Sequence, residues 1–430
     1  MIRYHEALSQ VLQLGSGSAS GWESVSVSLA ESFGAVLAEA VTSVESFPMF
    51  EASMVDGFAL RAVDTKNAAG SESIVRFPVN KNFVAGTGDC GSVESGIAIG
   101  VATGAMLPRD ADVVVKIENV EVLEKNSDGT IAAIGVRSPL ISGDNIRYRG
   151  TDIRAKQVLL DPGTRIDFQH FPMLAALGIR QMQVRRRPRV GVICTGEEIV
   201  DWSQSEPAVP GKIRNATGAF LAVTLQGMGC DLVHYSCVGD SDADYRKAVE
   251  EALIAGCDVL LSTGAVSVGP KDFVKKAVSE MGAKIFFHRV AVRPGKPILC
   301  AQLGHENKQC LLFALPGNPM ATAAGFRFFV TPYLRSLFGQ KQEKTMRVAL
   351  GNDVVKSEGM RTFLLGSVTQ TADGLRVFSP AEQESFRVLP FARSNAWIVL
   401  PEVGEGAATG NLVEILPLFS DGFSREWLIS

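Results

Sequence analysis

Apolar positions change their spacing several times along this 430-residue chain. Near the start, Leu8, Val11 and Leu12 recur at helical spacing, and Leu29, Phe33, Val36 and Leu37 form a second such set. Gly15-Ser16-Gly17-Ser18-Ala19-Ser20-Gly21 lies between them, so residues 1 to 44 read as two helical stretches joined by a flexible linker. From 45 to 142 the pattern shortens to β-branched runs broken by glycine, such as Ile74-Val75-Arg76-Phe77-Pro78-Val79 and Ala111-Asp112-Val113-Val114-Val115, which predicts small β elements. From Arg189 to Gly339 continuous apolar runs alternate with helical periods. The runs are Val190–Cys194, Leu232–Val238, Asp258–Ser262, Ile298–Leu303 and Cys310–Ala314; the helical stretches are Ala219–Met228, Asp242–Ala255, Asp272–Met281 and Pro319–Leu337. Runs apolar at every position suit strands covered on both faces, and strand–helix alternation predicts a doubly wound parallel sheet. Beyond Gly339 short strands return at the turn spacing of a small β-barrel-like domain. The expected fold is therefore multidomain α/β plus β. Residues 1–182 form an N-terminal composite region (1–44 and 143–182, with a β-rich insertion at 45–142), 183–338 a central α/β domain, and 339–430 a C-terminal β domain.

Three of the apolar runs end in turns that suit an anion. Val190–Cys194 leads into Thr195-Gly196-Glu197-Glu198, Asp258–Ser262 into Thr263-Gly264-Ala265-Val266-Ser267-Val268-Gly269, and Cys310–Ala314 into Leu315-Pro316-Gly317-Asn318-Pro319. In an open α/β sheet, ligands sit outside the carboxyl ends of the strands. Glycine lets backbone amides come close to a ligand, and the helix start that follows favours negative charge, so a phosphate-bearing ligand is expected. Asn318 before Pro319 is a helix start, with Asn at the cap and Pro at the first helical position. The chain has no P-loop; Arg293-Pro294-Gly295-Lys296-Pro297 has the wrong spacing for one. It also has neither a serine nucleophile elbow nor a His-Glu-x-x-His metal motif, and only 5 histidines. The acids that remain in glycine-rich settings are Asp56, Asp152, Glu198, Asp240 and Asp272. Singly, each also suits a cap or a turn. Together with phosphate-binding turns they suit magnesium (Mg2+), which takes one or two carboxylates along with substrate phosphate.

Composition narrows the function classes. With 42 basic against 46 acidic residues and a net charge of -4, no general nucleic-acid partner is expected, and Arg185-Arg186-Arg187-Pro188-Arg189 reads as a solvated domain junction. The 7 cysteines show no Cys-x-x-Cys pair, and several lie in apolar runs, as reduced thiols in a cytoplasmic protein would. The first residues are amphipathic and lack a signal-peptide core, and no apolar stretch is long enough to span a membrane.

Taken in order, these segments resemble the molybdopterin molybdenumtransferase family, the group that includes the gephyrin E domain. The matching segments are Phe50-Glu51-Ala52-Ser53-Met54-Val55-Asp56-Gly57-Phe58-Ala59, Ala102-Thr103-Gly104-Ala105-Met106-Leu107-Pro108 and Asn145-Ile146-Arg147-Tyr148-Arg149-Gly150-Thr151-Asp152-Ile153, followed by the Thr195, Val266, Pro294 and Leu315 segments. The resemblance implies a homodimer that hydrolyses adenylylated molybdopterin in the presence of molybdate and magnesium, releasing AMP and leaving metal on the pterin dithiolene. It places catalytic roles on Asp56, Thr103, Asp152 and Glu198, and magnesium on Asp240 and Asp272. Substrate binding would fall to Gly264, Ser267, Gly269, Arg289, Arg293, Pro316, Gly317, Asn318 and Pro319. Implied protein partners are a molybdopterin adenylyltransferase and apo-molybdoenzymes. The chain departs from the family pattern in several places. Arg289 and Arg293 stand where lysine is common, Ala265 where a second glycine is usual, and Thr217 and Ala52 where asparagine is favoured. Two other readings share these segments: a divergent, non-catalytic molybdopterin-binding carrier, and a molybdopterin adenylyltransferase on the same α/β domain.

Overall fold

The structure, a computed structural model, describes residues 1–68, 74–83, 86, 88, 91–203, 210–266, 273–305 and 308–419. At its centre is a six-stranded sheet in the spatial order Asp231–Val238, Arg189–Thr195, Val259–Thr263, Lys308–Leu315, Leu299–His305, Lys284–His288. The first four strands are mutually parallel, as their continuous apolar runs predict. The last two run antiparallel and extend the sheet beyond the parallel core. The cause is local: His305 pairs with Lys308, so the connection is far shorter than the dozen or so residues a parallel crossover requires.

Successive strand residues face opposite sides of this sheet. Val192, Leu261 and Phe313 pack with Leu221, Leu225, Phe329 and Leu334 on one face, while Ile193, Leu260 and Leu312 pack with Tyr245, Val249, Val274 and Val278 on the other. The covering helices are Ala216–Gly227, Asp242–Ile254 and Val274–Glu280, together with the run that starts at Pro319. The stretch 319–337 is helical throughout but not uniform. Between Pro319–Gly325 and Thr331–Leu337 lies a π-turn over Phe326–Val330, where the Thr331 N–H reaches back to the Phe326 carbonyl. Pro332 has no N–H to give and its ring crowds the turn before it, which the widened turn accommodates.

The N-terminal segment differs from its expected linker. Helix Tyr4–Ala19 runs straight through Gly15 to Ala19 and buries Ala7, Val11 and Gly15. A Cβ at Gly15 would lie 2.6 Å from Ser336 Cβ and 2.8 Å from the Tyr333 carbonyl oxygen. The glycine thus marks a close helix–helix approach to Thr331–Leu337, where packing overrides low helix propensity. The second expected helix is instead the strand Ser24–Ser28, paired antiparallel with Gln181–Arg185, followed by a short 3-10 turn at Leu29–Glu31. Leu37 is buried there but Phe33 is exposed, so its helical spacing did not mark one face. The arginine run after this strand is a junction but not a solvated one. Arg186 stacks 4.5 Å over Trp22, pairs with Glu23 at 2.8 Å and holds Asp258 through both Nη atoms at 3.0 and 3.1 Å.

The 45–142 stretch forms a second six-stranded sheet in the order Val113–Lys116, Gly57–Leu60, Ala98–Val101, Val75–Phe83, Ile131–Val136, Glu121–Lys125, with Phe58, Leu60, Phe77 and Ile134 at its core. The chain after 345 forms a closed five-stranded barrel. Its strands Arg361–Thr371, Gly374–Phe378, Met346–Leu350, Leu412–Pro417 and Ala396–Leu400 pair in that order, and the last returns to the first. A short strand, Val292–Arg293, adds in parallel to the start of Arg361–Thr371 and ties the central α/β unit to the barrel.

Candidate functional site

That tie places the barrel against the carboxyl ends of the parallel strands, and between them lies a cleft of about 1290 Å³. From the sheet side it is lined by Thr195, Gly196, Glu198, Asp240, Thr263 to Val266 and Pro316 to Pro319; from the barrel side by Lys356, Ser357 and Gln383 to Phe386; and Arg293 to Pro297 runs between them. Eight residues singled out from the sequence meet here: Glu198, Asp240, Gly264, Arg293, Pro316, Gly317, Asn318 and Pro319. Ser267, Gly269 and Asp272 lie outside the described residues.

The glycine turns are shaped by close approach. Gly264 has φ +90°, and a Cβ on it would meet Thr195 Oγ1 at 2.4 Å and the Thr195 carbonyl oxygen at 2.7 Å. Its N–H donates to the Leu315 carbonyl at 3.1 Å, and a Cβ on Gly317 would come 3.5 Å from the Gly264 Cα, so the two turns brace each other. Ala265 has φ +49°, a left-handed conformation that alanine adopts at a cost of about 1 kcal/mol or more. A glycine at this position, the usual family residue, would be free of that cost.

Two helix starts face the cleft. Asn215 caps Ala216–Gly227: its Oδ1 accepts from Gly218 N at 2.8 Å and from Thr217 Oγ1 at 3.1 Å. The Asn-x-x-Gly segment ahead of an apolar helical run carried this signal in the sequence, but it was not singled out. Asn318 occupies the cap position before Pro319, yet its side chain does not cap. Its Nδ2 donates to Ser385 Oγ at 3.0 Å, and Met320 N donates to the Ser385 carbonyl at 2.9 Å, so the turn is fastened to the barrel segment instead.

Cations gather on the barrel side. Arg293 Nη1 donates to Ser357 Oγ at 3.0 Å, and Lys356, almost fully buried, donates to the Glu402 carbonyl at 3.1 Å. Lys296 and Arg214 add two more positive charges to the lining, against the carboxylates Glu198, Asp240 and Glu384. None of Arg214, Lys296, Lys356, Ser357 and Ser385 was assigned a role from the sequence, since what unites them is the barrel contact and not their spacing. Among the described residues no group of three His, Cys, Asp or Glu side chains could hold a metal ion by itself.

The other sequence candidates stand apart from the cleft in this chain. Arg289 does not line it: its backbone, at φ +69°, bonds to Ile298 and Ile2, and its Nε is buried without a partner. The paired role with Arg293 is therefore not supported by their positions. Asp56 and Thr103 lie together on the N-terminal sheet, where Asp56 Oδ1 accepts from Thr103 N at 2.7 Å and Oγ1 at 3.0 Å. Those bonds, the backbone one foremost, hold the Asp56 carboxyl below the usual aspartate range. Asp152 is exposed on a turn whose backbone N–H donates to the Phe47 carbonyl at 3.1 Å. Behind the Asn215 cap, Asn215 Nδ2 donates to Cys237 Sγ at 3.3 Å and to Tyr235 OH at 3.1 Å. Hydrogen bonds from Cys194, Asn215 and Tyr235 push the exposed Cys237 thiol well below the ordinary cysteine range. The buried partner Cys194 is pushed up.

Fold and site together define a multidomain protein with an anion-binding α/β cleft closed by a small barrel. Its segments match, in order, the MoeA N-terminal region (domain I and II) over residues 2–178, a probable molybdopterin binding domain over 191–336, and the MoeA C-terminal region (domain IV) over 347–418. The molybdopterin molybdenumtransferase of Synechococcus elongatus is 34% identical over 91% of this chain and 94% of its own length. That of Bacillus subtilis is 33% identical over 93% and 91%. A molybdopterin biosynthesis moeA protein from Pyrococcus horikoshii superposes with a TM-score of 0.81 at 26% identity, covering 97% of this chain and 99% of that one. The chain belongs to the molybdopterin molybdenumtransferase family.

Proposed function

We propose that this chain acts in molybdenum cofactor biosynthesis as a molybdopterin molybdenumtransferase, taking adenylylated molybdopterin and molybdate and releasing AMP. The observation that carries this reading is the meeting, in one cleft, of two mutually braced glycine turns with a cationic wall. Cleaving a phosphoanhydride depends on charge neutralisation and positioning more than on a covalent nucleophile. The backbone amides of 263–266 and 316–319, with the helix starts after Asn215 and Asn318, suit the phosphates. Arg293 is anchored by Ser357 beside Lys296 and suits a tetrahedral oxyanion, since a guanidinium offers two donors to two of its oxygens.

Asp240 and Glu198 supply hard oxygen donors to the lining, a set that fits magnesium with substrate phosphate completing its shell. When bound there, magnesium would offset the phosphate charge. Asp56, Thr103 and Asp152 would close the site from the partner subunit of a homodimer, in keeping with their position away from the cleft of their own chain. A cytoplasmic setting, with molybdopterin adenylyltransferase upstream and apo-molybdoenzymes downstream, completes the reading.

The test is incubation of the purified protein with adenylylated molybdopterin, magnesium and molybdate, following AMP release and activation of an apo-molybdoenzyme. Tight binding of the pterin without AMP release would replace this function with that of a carrier.

A further inference from the structure

A second cavity, of about 290 Å³, lies on the far side of Trp397 from the cleft, between helix Ala216–Gly227, the 319–337 helix and the barrel. Trp397 lines both spaces. Its walls are aromatic: Phe220 meets Phe326 edge-on at 5.9 Å and Phe391 at 5.8 Å, and Phe391 meets Phe419 at 5.9 Å. The polar groups on this lining are all able to donate. No Asp, Glu, Asn, Gln or His is among the described lining residues.

The deepest donor is Arg327, only 4% exposed. Its Nη1 pairs with Glu343 at 2.8 Å and its Nε donates to the Pro417 carbonyl at 3.2 Å, while Nη2 is buried with no partner. A buried N–H without an acceptor is costly, and native structures seldom leave one unsatisfied. Thr331, on the same lining, has only the sulfur of Met228 to donate to, at 3.9 Å, and a thioether is a weak acceptor. Arg165 lines the cavity too and donates to the Gly227 carbonyl at 3.4 Å.

We propose that this cavity is a binding site for a small planar aromatic carboxylate, whose ring lies among the phenylalanines and whose oxygens accept from Arg327 Nη2 and the Thr331 hydroxyl. The volume sits at the low end of ligand pockets, roughly 300 Å³ and upward, which limits the ring system to one or two fused rings. Flat rings suit walls that present both faces and edges. A donor-only polar lining selects acceptors, and the added Arg165 charge selects an anionic one. Because Trp397 is a shared wall, the occupant would also touch the side chain that borders the cleft.

Calorimetric titration of the full-length protein with 2-naphthoate, and with 2-naphthylmethanol as the neutral comparator, tests the proposal. Saturable one-to-one binding is expected, with the carboxylate favoured by about tenfold or more, as charge-assisted bonds to a buried donor imply. Val223 is largely exposed and lines the cavity, so Val223→Trp should fill it and abolish binding while the protein stays folded by circular dichroism. Arg293→Ala should leave binding unchanged. Equal affinity for the two probes, binding that survives Val223→Trp, or binding lost in Arg293→Ala would each overturn the assignment, the last by giving the probe to the cleft. Binding seen only after residues 420–430 are removed would also overturn it, by giving the cavity to the chain's own end.

Discussion

The close approach at Gly264 can be separated from its backbone conformation by a pair of alanine substitutions. Gly264 and Gly282 both have left-handed backbones, at φ +90° and +79°. A Cβ on Gly282 would meet no heavy atom within 4 Å, so Gly282→Ala carries only the conformational cost, about 1 kcal/mol. Gly264→Ala carries that cost and adds contacts at 2.4 Å to Thr195 Oγ1 and 2.7 Å to the Thr195 carbonyl oxygen. The hydroxyl can rotate away, though it would give up its 3.0 Å bond to the Thr263 carbonyl; the backbone oxygen cannot move without shifting the strand end. Overpacking of this kind costs about 1–3 kcal/mol, so Gly264→Ala should lose about 2–4 kcal/mol in all. A chain of several domains need not unfold in one step, so the readout should be local. Amide hydrogen exchange on strand Val259–Thr263, fully buried and paired on both sides, reports the stability of the sheet that carries the turn. Equal losses in the two variants would refute the close-approach reading and reduce Gly264 to an ordinary turn glycine.

Four further outcomes follow from the site. Arg293→Ala should raise the molybdate needed for half-maximal insertion about tenfold, near 1.4 kcal/mol, with Arg293→Lys keeping much of the activity; an unchanged molybdate dependence would leave the oxyanion unassigned. Asp240→Asn should abolish magnesium-dependent AMP release with little change in thermal midpoint, whereas a variant that fails to fold would make Asp240 a structural residue. Cys237, with its thiolate favoured by Cys194, Asn215 and Tyr235, should react with iodoacetamide at lower pH than a free cysteine, and Asn215→Ala should move that profile upward; peptide mass mapping that finds another cysteine modified first would contradict it. Sedimentation at micromolar concentration should give about twice 46.0 kDa, and a monomer would remove Asp56, Thr103 and Asp152 from any shared site.

What could be read from the sequence was what neighbours in the chain decide. The runs Val190–Cys194, Asp258–Ser262 and Cys310–Ala314 are apolar at nearly every position because strands buried on both faces must be, and the turns after them needed glycine for reasons that act within a few residues. Gly15 looked like a linker because the residue that explains it, Ser336, is more than three hundred positions away, and low propensity without its packing partner reads as flexibility. The 299–315 hairpin was missed for a different reason: an apolar run does not record its direction, and only the shortness of the connection does.

The cleft itself divides along the same line. Its glycine wall was evident because each turn follows its own strand, while its cationic wall depends on Val292–Arg293 pairing with Arg361–Thr362, a contact between segments with no shared pattern. That pairing sets Arg293 beside Ser357 and lets Ser385 fasten the Asn318 turn, so one short stretch of backbone hydrogen bonds holds the anion turns and the cations at a common opening. Arg289, four residues earlier, is on the far side of that pairing and is turned into Ile2 and Ile298. Two arginines that look equivalent in the sequence are thus divided by the strand between them, and only the one that follows it can meet a ligand in this cleft.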